Sequence, residues 1–193
     1  MNCDRTNFHL PIRQDKAEKF RHNFTMTVLT RYQMRMANPE QDARVIAHLK
    51  VVCWRESYQG LLPQELLDGL DVARSARSWA DSLRSGVAWI AEHNGEPVGF
   101  GHQRGAEVTT LYLRKADHRH GVGKALLGHC FDEIACLGHG QAHLWVLENN
   151  YAARRFYQRQ GGHGTARRAV GFKKWPNIME VRYDFDITDW LEK

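Results

Sequence analysis

The chain has 193 residues and only four cysteines, Cys3, Cys53, Cys130 and Cys136, with no CxxC pair among them. That excludes the zinc-ribbon and dithiol redox motifs. Its 11 histidines form no HExxH and no Cys/His ligand spacing, so no metal is expected. No apolar run nears the roughly 20 residues that span a bilayer, and no leader-type segment or internal repeat is visible. The cysteines therefore read as small core residues or free thiols, and the expected location is the reducing cytoplasm. Lys and Arg make no long block: 27 of them stand against 22 Asp and Glu, a net charge of +5. Interspersed charge of this kind argues against nucleic acid, while the mild basic excess favours small anionic ligands such as phosphates.

The length suits one domain with a real core. Residues 1–29 are polar and aperiodic and read as an extension, 30–188 as the domain, and 189–193 as a tail. "TVLTRYQMRMA" alternates as a first strand. A helix follows, with Asn38 as its cap, Pro39 at its first position, acids in its first turn and Val45, Leu49, Val52 and Cys53 at helical spacing. "QGLLPQELLDGL" reads as a turn and short helix, and "DVARSARSWADSLRS" as a helix ending near Gly86. Two strands join at Asn94-Gly95, a strong hairpin signal, and "AEVTTLYLRK" is the next strand. A glycine-bearing loop opens a helix through about Leu137; then come the strand "QAHLWVL", the helix "NNYAARRFYQRQG" and two strands around Trp-Pro-Asn. The pattern predicts an α/β (α+β) domain, a mixed and mostly antiparallel central sheet flanked by helices.

The loop "HRHGVGKALL" carries the chemistry. Gly121 and Gly123 permit a tight turn and close approach, and the helix start presents bare N–H groups and a positive dipole end to an anion. It is not a dinucleotide fingerprint, because Leu126 stands where the third glycine belongs. It is not a P-loop either, with His118 at the first glycine position and Ala125 at the hydroxyl position.

The strand "TTLYLRK", the loop and "LWVLENNYAARRFYQRQG" together resemble the acetyl-CoA signature of the GCN5-related N-acetyltransferase (GNAT) superfamily. Gly121 and Gly123 match the two small positions of [Q/R]xxGx[G/A], with His118 in the leading position and Arg119 beside it. Glu148, Asn149, Asn150, Ala153, Phe156, Tyr157 and Gly161 match the second block, and Gly162 replaces its usual phenylalanine, so an aromatic contact is expected to be lost there. The resemblance covers roughly residues 32–185. It implies the acyl-CoA N-acyltransferase fold, acetyl-CoA as cofactor, and transfer of an acetyl group to an amine in a ternary complex.

On that resemblance the diphosphate sits on the amides of His118, Arg119, His120, Gly121, Val122, Gly123 and Lys124, with Arg119 and Lys124 adding charge. The pantetheine arm runs along Leu111, Tyr112 and Leu113, and the N–H of Leu113 or Tyr112 polarises the thioester carbonyl. Asn150 is a helix cap, a pantetheine ligand, or both. Tyr157 is the expected general acid: a phenol of pKa ~10 can donate to a departing thiolate whose conjugate acid lies near ~8.5. Its alternative reading is a core aromatic. Glu107 is a candidate base, with Glu148 and Glu56 as competitors, and His102 and His143 are candidates to titrate near neutrality.

Trp54 and Tyr58 share a helix face and, with Trp175, are expected to border the acceptor, unless they are simply packing residues. Arg167, Arg168, Lys173 and Lys174 make the last hairpin basic. The expected acceptor is a small-molecule amine, with a protein N-terminus or lysine, a non-catalytic CoA module, or a nucleic-acid-associated factor as competing readings. No membrane partner is expected, and a homodimer is one expectation from the resemblance.

Overall fold

Strand β1 (Tyr32–Met36) opens the part of the chain described by the computed structural model, residues 31–188. The expected extension over 1–29, all of "TVLT", Cys3 and the tail over 189–193 lie outside the described residues. After β1 come α1 (Ala43–Tyr58), α2 (Gln64–Asp68), α3 (Val72–Ser85), β2 (Val87–His93), β3 (Glu96–Arg104), β4 (Glu107–Leu113), α4 (Val122–Cys136), β5 (Gln141–Leu147), α5 (Tyr151–Arg159), β6 (His163–Ala169) and β7 (Met179–Asp186). The seven strands form one sheet in the order β1-β2-β3-β4-β5-β7-β6. Every neighbouring pair is antiparallel except β4 and β5. This is the mixed sheet that the patterning predicts.

Local signals account for most element ends. Asn94 (φ 54°) and Gly95 (φ 81°) both take the left-handed conformation, as a tight hairpin between β2 and β3 requires. The Asp71 side chain accepts the Arg74 N–H and caps α3. α1 differs from expectation: it starts at Ala43, and Asn38 caps a preceding turn by accepting the N–H groups of Glu40 and Gln41. The cause is tertiary. Arg35 on β1 holds Asp42 through two hydrogen bonds (2.7 and 2.9 Å), and Asp42 also accepts the Asn38 N–H, so this carboxylate sets where the helix begins. The buried stripe of α1 is Ile46, Ala47, Leu49, Val51 and Cys53, which keeps Leu49 and Cys53 of the expected set and leaves Val45 and Val52 half-buried.

Helices cover both faces of the sheet. α1 and α3 pack Ile46, Leu49, Trp79 and Leu83 against Ala88, Ile90 and Phe100. On the other face α4 and α5 bury Leu127, Cys130, Phe131, Ile134 and Tyr157 against β5 and β7. A Cβ at Gly101 would lie 2.9 Å from Cys130 Sγ, so the absence of a side chain there lets α4 settle onto β3. Gly162 is similar: a Cβ would meet Phe185 ring atoms at 2.6 Å. The aromatic contact expected to be lost at Gly162 is thus replaced, because Phe185 on β7 fills that space. Among the described residues no helix is long and apolar enough to cross a membrane.

Candidate functional site

The sheet opens at its centre. β4 and β5 run parallel yet share one register pair, Glu107 with His143, reinforced by the His143 N–H on the Ala106 carbonyl (3.0 Å). Beyond it the strands part toward Leu113 and Leu147. Leu111, Tyr112 and Leu113 are therefore only half-buried, although β4 is the middle strand.

The register decides which main-chain groups face this gap. The Arg114 N–H bonds to the Val98 carbonyl, and Tyr112 lies opposite Phe100. Polar groups alternate sides along a strand, so those of Tyr112 are spent on β3 while those of Leu111 and Leu113 turn into the gap. Of the two expected donors, Leu113 turns its N–H toward the gap and Tyr112 turns its own onto β3. An unpaired strand edge of this kind can bind an extended amide-bearing ligand as an added strand.

The loop closes the open end of the gap. Gly121 (φ 84°) is the N-cap of α4 and has no side chain to cap it, and the first bond within the helix runs from Ala125 N–H to the Gly121 carbonyl. The N–H groups of Val122 and Gly123 thus have no partner inside the helix, and a helix start of this kind, with its dipole, suits an anion. Lys124 sits in the same first turn. Arg119 holds a φ of 65°, a conformation costing a non-glycine residue roughly 1–2 kcal/mol. The His118 ring folds back, its Nε2 lying 3.0 Å from the Leu113 carbonyl, and its N–H bonds to the Lys115 carbonyl at 3.3 Å. Arg119 and His120 are exposed beside it.

Across the gap, α5 begins at Asn150, whose Oδ1 accepts the Ala153 N–H at 3.1 Å. The cap reading holds, and it uses only that oxygen. Phe156 comes within 3.6 Å of where a Gly123 Cβ would be, which brings the two glycine-motif helices together. The motif marked Phe156 but its closeness to Gly123 was not readable from spacing. Tyr157 is 7% exposed and packs against Phe156, Tyr183 and Phe185. Burial pushes its phenol well above the ordinary range, with further contributions from Tyr58 and Cys130.

Tyr58 and Tyr112 share a hydrogen bond (3.3 Å between hydroxyl oxygens), and Trp54 packs edge-on against both rings. The buried Trp54 Nε1 lies toward the Tyr112 hydroxyl but completes no hydrogen bond of normal geometry. Burial raises the pKa of Tyr58 and Tyr112 as it does that of Tyr157. All three phenols stay protonated near neutral pH: they can donate, and none can act as a base. The adjoining cluster joins Leu62, Leu67 and Leu147 to Trp54, Tyr58, Val170 and Ile178, so the base of the β6–β7 hairpin closes over the turn between α1 and α2. Trp175 is not part of it. It sits at the hairpin's tip, where its N–H bonds to the Phe172 carbonyl and Lys174 lies over its ring while pairing with Glu65.

The carboxylates are placed differently from one another. Glu56 accepts the Lys115 N–H (2.8 Å) and Glu148 pairs with Arg167 (2.6 Å), so both are engaged in holding the fold. Glu107 stands at the closed end of the gap beside His143, whose pKa is lowered first by burial and then by Arg182. His102 is buried and bonded to Thr109 (2.6 Å), with its pKa lowered chiefly by burial, so it is structural. Glu180 passed unnoticed in the sequence. It pairs with Arg168 (2.5 Å), which lies 3.8 Å over the Trp145 ring, and its charge is felt at Tyr58. Nothing in its local sequence marks it.

Known proteins resemble this chain in sequence and in fold. The profile of the acetyltransferase (GNAT) family matches residues 43–162. A probable N-acetyltransferase of Mycobacterium tuberculosis is 34% identical over 145 residues, covering 68% of this chain and 79% of its own. The PaiA N-acetyltransferase of Thermoplasma acidophilum, solved with coenzyme A, superposes with a TM-score of 0.65 at 17% identity, over 80% of this chain and 98% of that one. The acetyltransferase YncA of Salmonella typhimurium, solved with acetyl-CoA, gives a TM-score of 0.61 at 19% identity, over 81% and 94%.

Proposed function

The chain belongs to the acetyltransferase (GNAT) family, and from that premise we propose that it moves an acetyl group from acetyl-CoA to the primary amine of a small molecule, directly, within a ternary complex. The observation that carries this reading is the gap: the N–H edge of Leu111 and Leu113, which has no strand partner among the described residues, leads to the uncapped start of α4. One edge suits the amides of a pantetheine arm and the other end suits a diphosphate.

In this reading the cradle of Val122 and Gly123 takes the diphosphate, with Arg119 and Lys124 supplying charge, and Asn150 flanks the arm. The amine nitrogen attacks the thioester carbonyl carbon. Negative charge gathers on the carbonyl oxygen, where the Leu113 N–H can meet it. Glu107 lies six strand residues, roughly 20 Å, from Leu113, so it takes the proton that the ammonium must lose through a chain of waters along the gap. As the C–S bond breaks, the Tyr157 hydroxyl donates to the sulfur. The raised pKa of that phenol keeps the donor protonated at working pH. Trp54 and Tyr58 form the acceptor wall. The hairpin base that packs on Leu62 and Leu67 narrows that side, which favours a compact amine over an extended chain.

A thiol-release assay with acetyl-CoA and a panel of amines tests the proposal, the panel including an α-amino peptide and a lysine peptide. Turnover with small amines and not with peptides supports it. Turnover confined to peptides moves the acceptor to protein, and tight CoA binding without turnover on any amine rejects catalysis.

A further inference from the structure

Asp117 is a charged residue that the mechanism does not use, and it is 6% exposed. It ends the single 3-10 turn Lys115–Asp117, immediately before the loop 118–123. Its Oδ1 accepts the hydroxyl of Tyr32 on β1 at 3.1 Å and lies 3.5 Å from Nδ1 of His93 on β2. Arg31 Nε approaches the other ring nitrogen of His93, Nε2, at 3.4 Å. The Tyr32 ring stacks near His93 (4.7 Å between centroids) and reaches toward His120 (6.1 Å). On the opposite side the turn is tied to α1 by Glu56 on the Lys115 N–H, and Cys53 and Arg114 lie nearby.

Two residues beyond Asp117 the backbone turns left-handed at Arg119, and again at Gly121. Such a turn at an arginine persists only where its surroundings over-determine it. The contacts that reach this segment from β1 and β2 converge on one carboxylate, 85 positions from the tyrosine that holds it; β4 adds its own at His118, through the Leu113 carbonyl.

Resting on the reading of this loop as a diphosphate site, we propose that Asp117, pinned by Tyr32 and His93, is a positioning residue that presets the N–H cradle for coenzyme A. The pin lowers the cost of ordering the loop when the cofactor binds. It therefore acts on cofactor affinity and leaves the chemical step alone. Tyr32 on the edge strand becomes part of the cofactor site without touching the cofactor.

The test uses the full chain and the variants Tyr32→Phe and Asp117→Asn, with two readouts. One is native-state hydrogen exchange, without ligand, of the bonded amides that bracket the loop, Asp117, His118 and Ala125; the other is calorimetric titration with CoA, with steady-state kinetics beside it. Losing one hydrogen bond to a carboxylate corresponds to roughly 10-fold or more. Tyr32→Phe should speed exchange at those three amides by about that factor and weaken CoA binding by up to the same factor. The kcat at saturating acetyl-CoA should change less than about twofold, since no group in the reaction is altered. Asp117→Asn keeps an acceptor for Tyr32 and should fall between wild type and Tyr32→Phe. Unchanged exchange at those amides in Tyr32→Phe overturns the pin, and so does a uniform rise across the whole sheet. A wild-type protein that takes up no CoA sinks the diphosphate reading of the loop, while the exchange data still decide whether the pin exists.

Discussion

Glu107 and His143 form the one register pair, among the described residues, that joins β4 to β5. The two halves of the sheet are hinged there and diverge beyond it, so a titratable pair marks the apex of the gap. In the proposed chemistry Glu107 takes the proton. Replacing it as Glu107→Gln should lower kcat about 100-fold, the usual scale for a lost general base, and leave CoA affinity unchanged. His143→Gln should cost only a few-fold. Steady-state kinetics with calorimetry checks both, and equal losses in the two variants would assign the base to the pair.

Tyr157 is expected to donate to the leaving sulfur. Tyr157→Phe keeps the packing against Phe156, Tyr183 and Phe185 and removes only the hydroxyl. It should slow turnover ~10- to 100-fold with CoA affinity within about twofold and an unchanged melting temperature. Because burial raises this pKa, the wild-type rate should show no loss from phenol ionisation at or just above pH 10. An alkaline limb near the ordinary tyrosine value that vanishes in the phenylalanine variant would contradict the placement.

Gly121 takes a φ of 84° where an alanine would be strained by roughly 1–2 kcal/mol. Gly121→Ala should lower thermal stability by about that amount and weaken CoA binding ~10-fold or more by misaligning the Val122 and Gly123 amides. Differential scanning calorimetry and titration measure the two effects separately.

Gly162 faces Phe185 so closely that a Cβ would lie 2.6 Å from the ring. Gly162→Ala should destabilise the fold by about 1–3 kcal/mol through overpacking, and pairing it with Phe185→Leu should recover part of the loss. A stable Gly162→Ala protein would show that β7 has room that the structure does not give it.

His102, His129 and His143 have pKa values lowered mainly by burial. The unfolded chain takes up their protons near the ordinary value of 6.5, before the folded chain does. Stability from these groups is therefore present above about pH 6.5 and lost as pH falls below it. Denaturant midpoints measured from pH 8 to pH 5 should decline, and less steeply in His129→Gln. A flat profile would contradict the burial of these rings.

Where a feature depends on neighbours along the chain, the sequence announced it. Asn94-Gly95 turned as expected, "QAHLWVL" is β5, and Gly121 is left-handed at the helix start. Distant partners hid the rest. α1 begins late because Arg35 on the preceding strand captures Asp42. Phe185 replaces the aromatic missing at Gly162, from the far end of the domain. Tyr112 turns its main chain away from the gap because the β3–β4 register is bonded at Phe100, and no strand propensity contains that register. The gap itself arises from one short parallel pairing, which single strands cannot reveal.

The central claim is that the bare main chain of β4 and the start of α4 together hold coenzyme A. Amide chemical shifts recorded while acetyl-CoA is titrated into the labelled protein test it most directly. Large, saturating shifts should appear at Leu111, Leu113, Val122 and Gly123, with Tyr112 and the β6 edge little moved. Binding that shifts a different surface and leaves those four amides in place would contradict the account.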